Sequence, residues 1–305
     1  MFFVTLIFPD RLSEEELKSR IFEADTAFER TLFQIANRLC NKKDLSLIGL
    51  TGPTCSGKTT AARMLTDRFL QNGRTIHVIS IDDFYYEKKY LLTLSEKNGF
   101  DGLDYDSEKT LDTDLLQTCL SSLIAGKPTI LPHFNFFTGL RERGVRLIPQ
   151  KGELFLLEGI QILYPAVNSI LQQAPYYSIA IYPQSSITVG GKTFLPNEIR
   201  LLRRLVRDVI YRGSGASFTF SLWKNVRSNE DKNIFPYLEN CDETVDSTMP
   251  YEIGILKPYL LKILSEVDSD DHFYRQAQKI RSALQNVESV NSDFISPNSL
   301  YREFI

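Results

Sequence analysis

Gly52-Pro53-Thr54-Cys55-Ser56-Gly57-Lys58-Thr59 is a complete G-x-x-x-x-G-K-[ST] loop, and the residues around it decide the fold. Leu45 to Leu50, just before it, is an apolar run that predicts a buried strand. Lys58 to Gln71, just after it, predicts a helix with Ala61, Met64, Leu65, Phe69 and Leu70 on one side. Strand, glycine loop and helix in that order build a phosphate site. The glycines let the backbone curl so that successive N–H groups point into one concavity. The helix adds its positive end at the same place. Gly52, Pro53, Thr54, Cys55, Ser56, Gly57, Lys58, Thr59 and the adjoining Thr60 are therefore candidate nucleotide-binding residues. Lys58 is placed to reach β- and γ-phosphates, and the Thr59 hydroxyl to ligate Mg²⁺.

Further buried strands are expected at Thr75–Ile81, Leu154–Leu157 and Tyr177–Tyr182. Apolar strands alternating with helices indicate a parallel sheet covered by helices on both faces, an α/β fold. Ligands of such sheets bind beyond the carboxyl ends of the strands. Asp82 and Asp83 follow one strand and Glu158 ends another, so the acids fall on the same rim as the glycine loop. Phosphoryl transfer needs a group that orients the nucleophile and accepts its proton, which one of the two aspartates can supply while the other serves structure. A carboxylate at Glu158 can hold Mg²⁺ directly or through water. Taken singly, an Asp-Asp pair caps the next element and a glutamate before glycine marks a turn; it is their coincidence on one rim that carries weight.

Arg200, Arg203, Arg204 and Arg207 recur at three- and four-residue spacing over residues 197–212, with Arg212 just beyond. Leu201, Leu202, Leu205, Val206, Val209 and Ile210 form the opposing apolar face. A basic helix face is ordinarily solvated surface. Here it is almost purely arginine, and guanidinium groups suit phosphate oxygens. The helix is expected to close as a lid over a nucleotide, with Gly213-Ser214-Gly215 as its hinge. Over residues 129–141, strand alternation sets Phe134 and Phe136 on one face, as core aromatics or as a base-stacking platform. Residues 86–116 read as an insertion rich in Tyr, Asp, Glu and Lys.

Residues 13–41 predict a helix, capped by Ser13 and acidic in its first turn, that packs outside the core. Asn41-Lys42-Lys43-Asp44 has the form of a guanine reader but precedes the phosphate loop, where that motif follows it; a polar linker is expected instead. The last forty residues carry an amphipathic helix, Tyr274 to Val287, and then a tail. Three segments follow: 1–44, 45–265 and 266–305. The 305 residues are 43% hydrophobic, ample for a sizeable core, and their net charge of −3 disfavours a nucleic-acid partner. Cys40, Cys55, Cys119 and Cys241 form no CxxC pair and read as free thiols of a reducing compartment. No stretch approaches the ~20 apolar residues of a membrane span. The apolar opening Met1–Phe8 lacks the basic flank of a signal peptide and reads as a short strand or docking segment, so a cytoplasmic location is expected.

Gly52–Thr59, Ser80-Ile81-Asp82-Asp83-Phe84-Tyr85, Phe155-Leu156-Leu157-Glu158-Gly159 and Arg203-Arg204-Leu205-Val206-Arg207-Asp208 together resemble the uridine kinase/phosphoribulokinase family of P-loop kinases. Tyr211-Arg212-Gly213, Trp223, Val226-Arg227 and Lys232-Asn233-Ile234-Phe235-Pro236-Tyr237 narrow the likeness. They resemble bacterial nucleoside kinases often fused to a threonyl-tRNA-synthetase-like N-terminal region. The resemblance covers roughly residues 27–305. It implies a P-loop kinase fold with a helical lid and a nucleoside-binding insertion, and ATP- and Mg²⁺-dependent transfer to the 5′-hydroxyl of a nucleoside. By motif position it implies that Asp82 activates that hydroxyl, with Lys58 and Arg207 also catalytic. Tyr85, Asp104, Phe134 and Phe136 would contact the nucleoside, Arg204 and Arg212 the nucleotide, and Thr59 and Glu158 the metal.

Two positions depart from the family. Gly139-Leu140-Arg141 stands where typical uridine kinases have a His-Ser-Arg tripeptide whose histidine contacts the pyrimidine. Ser214 follows Gly213 where many relatives carry a further arginine. Pyrimidine preference is therefore open, as are another small acceptor, such as a phosphoribulose-like sugar or pantothenate, and a non-catalytic nucleotide-binding regulator. A homo-oligomer is compatible with the sequence.

Overall fold

The computed structural model describes residues 4–9, 11–97 and 107–305. Its ten strands are β1 (Thr5–Ile7), β2 (Leu47–Thr51), β3 (Ile76–Ser80), β4 (Thr129–Asn135), β5 (Leu140–Leu147), β6 (Leu154–Glu158), β7 (Tyr176–Tyr182), β8 (Ser186–Val189), β9 (Lys192–Phe194) and β10 (Glu243–Asp246). Its α-helices are α1 (Glu14–Cys40), α2 (Lys58–Gln71), α3 (Lys88–Lys97), α4 (Thr113–Ile124), α5 (Pro165–Leu171), α6 (Pro196–Arg212), α7 (Ala216–Asn233), α8 (Phe235–Leu238), α9 (Glu252–Ser265) and α10 (Tyr274–Ala283).

Five strands form one parallel sheet in the order β10-β7-β2-β6-β3. Alternation along its strands makes two cores. Ile48, Leu50, Leu154, Leu156, Ile179 and Ile181 face one way and pack with α1, α2, α6 and α9. Leu47, Ile79, Phe155 and Leu157 face the other way and pack with α4 and α5. Burial on both faces is why these strands read as continuous apolar runs. The expected strands and the helix after the loop are present within a residue or two. β10 had no counterpart in the sequence reading. Its Glu-Thr-Val-Asp buries only Val245, as suits an edge strand.

α1 starts at a capping box: Ser13 Oγ accepts from the Glu16 N–H, and Glu16 accepts from the Ser13 N–H. Ile21, Phe28, Leu32, Ile35, Ala36 and Leu39 recur at helical spacing and join the main core. The short β1 pairs in parallel with β8, which pairs antiparallel with β9. β4 and β5 form a separate antiparallel hairpin. All four cysteines are free. Among the described residues no helix is long and apolar enough to cross a membrane.

The tail after α10 does not trail into solvent. Ile295, Leu300, Tyr301 and Phe304 are all at most 2% exposed and belong to the main core.

Candidate active site

Strand register brings the sequence motifs together. Leu50 and Ser80 both pair with Glu158, so β2, β6 and β3 end level with one another. The glycine loop leaves β2 one residue past Thr51, and Asp82 lies two residues past Ser80. Loop, aspartate and glutamate thus share the carboxyl rim of three adjacent strands, beside the point where the chain has switched from one side of β2 to the other.

The loop itself is tightly specified. Gly57 is the residue before α2 and has a φ of 94°, which favours glycine; a Cβ there would also lie 2.1 Å from Leu300 Cδ1. Cys55 is the one described non-glycine residue at positive φ, 57°, and its side chain is buried. Lys58 Nζ donates to the carbonyls of Gly52 at 2.9 Å and Pro53 at 3.1 Å. Burial pushes the Lys58 ammonium below its usual range, while the nearby charges of Glu158, Glu303 and Asp82 oppose that shift. Thr59 is exposed, and Ser56 Oγ is buried with no hydrogen-bond partner among the described residues.

The two aspartates divide. Asp83 Oδ1 accepts from the Phe134 N–H at 3.0 Å and lies 2.9 Å from His133 Nδ1, which ties the turn after β3 to β4. Asp82 instead lies within the reach of the Glu158 and Lys58 charges. Burial, reinforced by the Glu158 charge, raises its carboxyl to about 6, and Lys58 and a hydrogen bond with Tyr85 oppose this. Glu158 is also raised, first by burial, with Lys58 and a hydrogen bond with Ser80 acting against it. Gly159 lets the chain pass close to the aspartate turn, because a Cβ there would sit 2.0 Å from Ile81 Cγ2.

Tyr85, Phe134 and Phe136 form one aromatic cluster. Ring centroids are 5.6 Å apart for Tyr85–Phe134, 6.1 Å for Tyr85–Phe136 and 5.0 Å for Phe134–Phe136, all edge-to-face. The expected shared strand face is corrected here. β4 ends at Asn135, where Asn135 Oδ1 accepts from the Phe137 and Thr138 amides and turns the chain. Phe136 therefore lies in the turn, 57% exposed, whereas Phe134 is buried. Gln161 was not anticipated. It is fully buried just past Glu158 and donates from Nε2 to the Tyr85 hydroxyl at 2.6 Å. Asp104 lies outside the described residues.

The arginine helix also differs from expectation. In place of a lid face left open for a nucleotide, its arginines meet carboxylates: Arg200 and Arg203 those of α7 and α9, and Arg204, Arg207 and Arg212 that of Asp208 on α6 itself. Arg200 forms a two-bond pair with Glu230 of α7, and Arg203 one with Glu252 of α9. Both arginines are at most 1% exposed. They grip the loop through the carbonyls of Thr54 at 3.2 Å and Cys55 at 3.3 Å. Arg204 is buried and bonded to Asp208. Arg207 also holds Asp208 and reaches Thr54 Oγ1 at 3.5 Å. Arg212, 57% exposed at the helix end, has Nε 3.7 Å from Asp208. The expected hinge is a helix cap: Gly213 is left-handed, φ 61°, and both it and Ser214 donate from N–H to the Asp208 carbonyl.

Residues 47–252 match the model of the phosphoribulokinase / uridine kinase family, well over half of the chain. The chain belongs to this family. A uridine kinase of Halobacterium salinarum is 28% identical over 167 residues, covering 54% of this chain and 64% of that protein. A uridine kinase of Shewanella frigidimarina is 27% identical, with 60% of this chain and 78% of that protein aligned. For a uridine kinase of Saccharomyces cerevisiae the figures are 26% identity, 84% and 46%. The match thus spans less than two-thirds of the first and less than half of the last. Among solved structures, a Silicibacter sp. TM1040 protein provisionally described as a fructose transport system kinase superposes with a TM-score of 0.51. At 19% identity, with 70% of this chain and 98% of that one covered, it shows the shared P-loop kinase fold.

As a phosphoribulokinase/uridine kinase family member, the chain has residues that fit a nucleotide and its metal. The Ser56 hydroxyl, buried without a partner among the described residues, and the Lys58 and Thr59 amides at the head of α2 are donors of the kind an anion takes. Among the described residues no group of three or more His, Cys, Asp or Glu side chains could cage a metal alone. One hydroxyl, Thr59, and one carboxylate, Glu158, are instead the sparse protein set that suits Mg²⁺ bound largely by phosphates and water.

Proposed function

We propose that the protein transfers the γ-phosphate of ATP to the 5′-hydroxyl of a nucleoside. The observation that carries this reading is the meeting of Asp82, Glu158 and Lys58 at one rim, where β2, β6 and β3 end level and where the charges of Glu158 and Lys58 both act on the Asp82 carboxyl. In this reading the loop amides and Lys58 bind the β- and γ-phosphates. Asp82 orients the acceptor hydroxyl and takes its proton, with Tyr85 and Gln161 fixing the carboxylate from behind. Phe134 and Phe136 flank the base, and Asp104 grips the ribose hydroxyls as in the family. Arg207, with Arg212, shields charge developing on the transferred group; Arg204, bonded to Asp208, is the less available of the nucleotide-binding candidates. Thr59 and Glu158 would hold Mg²⁺, which when bound would neutralise phosphate charge. The protein works without nucleic acid or membrane, in the cytoplasm.

Base preference is proposed not to depend on a histidine. Position 139 is glycine, and His133 is hydrogen-bonded to Asp83. Asp82→Asn tests the mechanism. It should lower kcat by about 10²–10⁴-fold, the worth of a positioned base, while ATP affinity measured by calorimetry stays within a factor of about three. Full turnover in the variant would remove Asp82 from the chemistry.

A further inference from the structure

We propose that Glu303 is a built-in competitor for the nucleotide: a carboxylate that the C-terminal segment delivers to the anion site at the head of α2. The inference rests on the reading of the glycine loop as a nucleotide site. The first N–H of α2 with a helical acceptor is that of Ala61, bonded to the Gly57 carbonyl at 3.1 Å. The amides of Lys58, Thr59 and Thr60 are therefore left for an anion. Thr60 has one already. Its N–H donates to Glu303 Oε2 at 3.2 Å and its Oγ1 donates to the same oxygen at 3.1 Å. An amide has a single donor, so a phosphate oxygen and this carboxylate cannot both hold Thr60. Their like charges add repulsion.

The contact is built rather than casual. Leu300 fills the space that a side chain at Gly57 would need. Arg63 Nη1 of α2 donates to Asn298 Oδ1 at 3.0 Å. Ser299 Oγ donates to Asp25 of α1 at 3.1 Å. Tyr301, fully buried, is hydrogen-bonded to Glu252, and its hydroxyl accepts from Arg203 Nε at 3.1 Å. The backbone carrying Glu303 is thus fixed to the loop helix, the N-terminal helix and the arginine helix together. Arg203 is shared: it holds both Tyr301 and the Cys55 carbonyl of the loop. A bound phosphate must turn the Glu303 side chain out while its backbone stays. Nucleotide affinity is lowered by the fraction of molecules in which Glu303 holds Thr60.

Calorimetric titration of the full chain with ATP, tripolyphosphate and adenosine, in wild type, Glu303→Ala and Glu303→Gln, tests this. Glu303→Ala should bind ATP and tripolyphosphate about tenfold more tightly, with adenosine unchanged and Glu303→Gln in between. Unchanged or weaker ATP binding in Glu303→Ala, beside normal binding in the wild type, overturns the competitor alone. Equal tightening of adenosine overturns it too, since adenosine brings no phosphate. If neither wild type nor variants bind ATP or tripolyphosphate, the nucleotide site itself is wrong and the competitor falls with it. Should Glu303→Ala not fold, the same criteria apply to Glu303→Gln.

Discussion

A carboxylate buried beside a second carboxylate holds its proton longer than one in water. Asp82 is in that position, raised to about 6, and below that pH it carries the proton it would need to accept. The sign follows directly: the active, ionised form is present above pH 6 and is lost as the pH falls through it. We expect kcat/KM for the nucleoside to drop about tenfold per pH unit below an apparent midpoint near 6 and to be flat just above it. A pH–rate profile checks this, and a midpoint near 4 would mean that Asp82 is not the titrating base. Spacing left Asp82 and Asp83 as equal candidates, because adjacent residues of one type have none to tell them apart, and only the family resemblance singled out Asp82. The structure separates them: Asp83 is committed to Phe134 and His133, and Asp82, hydrogen-bonded to Tyr85, is the one on which the charges of Glu158 and Lys58 act.

Among the elements, α6 shows how far periodicity reaches. The recurrence of arginine and leucine located the helix and its two sides. It did not supply the anions, because Glu230 and Glu252 stand 30 and 49 residues beyond their arginines and on other helices. Those buried pairs make α6 a brace for the loop as well as a source of cationic groups. Glu252→Ala should therefore cost about 3–5 kcal/mol in urea unfolding, since it strands Arg203 in the core. Asp231→Ala, which breaks the surface contact with Arg227, should cost less than about 1 kcal/mol. Equal small losses would show that Arg203 is rehydrated and that the brace is not structural. The aromatic strand is the second lesson at this scale. Alternation placed Phe134 and Phe136 together for the wrong reason, since the chain turns at Asn135, yet their rings still touch.

Across the whole molecule, the parallel sheet and the rim that carries the site were legible because central strands are apolar without interruption and motifs sit at their ends. What was illegible is what depends on long-range contact. β10 buries only Val245, and β8 and β9, which complete the sheet of the expected short strand β1, are four and three residues long. Glu303 meets Thr60 across 243 residues of chain, with no local pattern to announce it. The roles proposed for this rim all require phosphate to move from nucleotide to nucleoside there. The direct measurement is a panel of ribonucleosides and deoxyribonucleosides incubated with γ-labelled ATP and Mg²⁺. We predict label in a nucleoside 5′-monophosphate, matched by ADP. Tight ATP binding with no label passed to any nucleoside would contradict it.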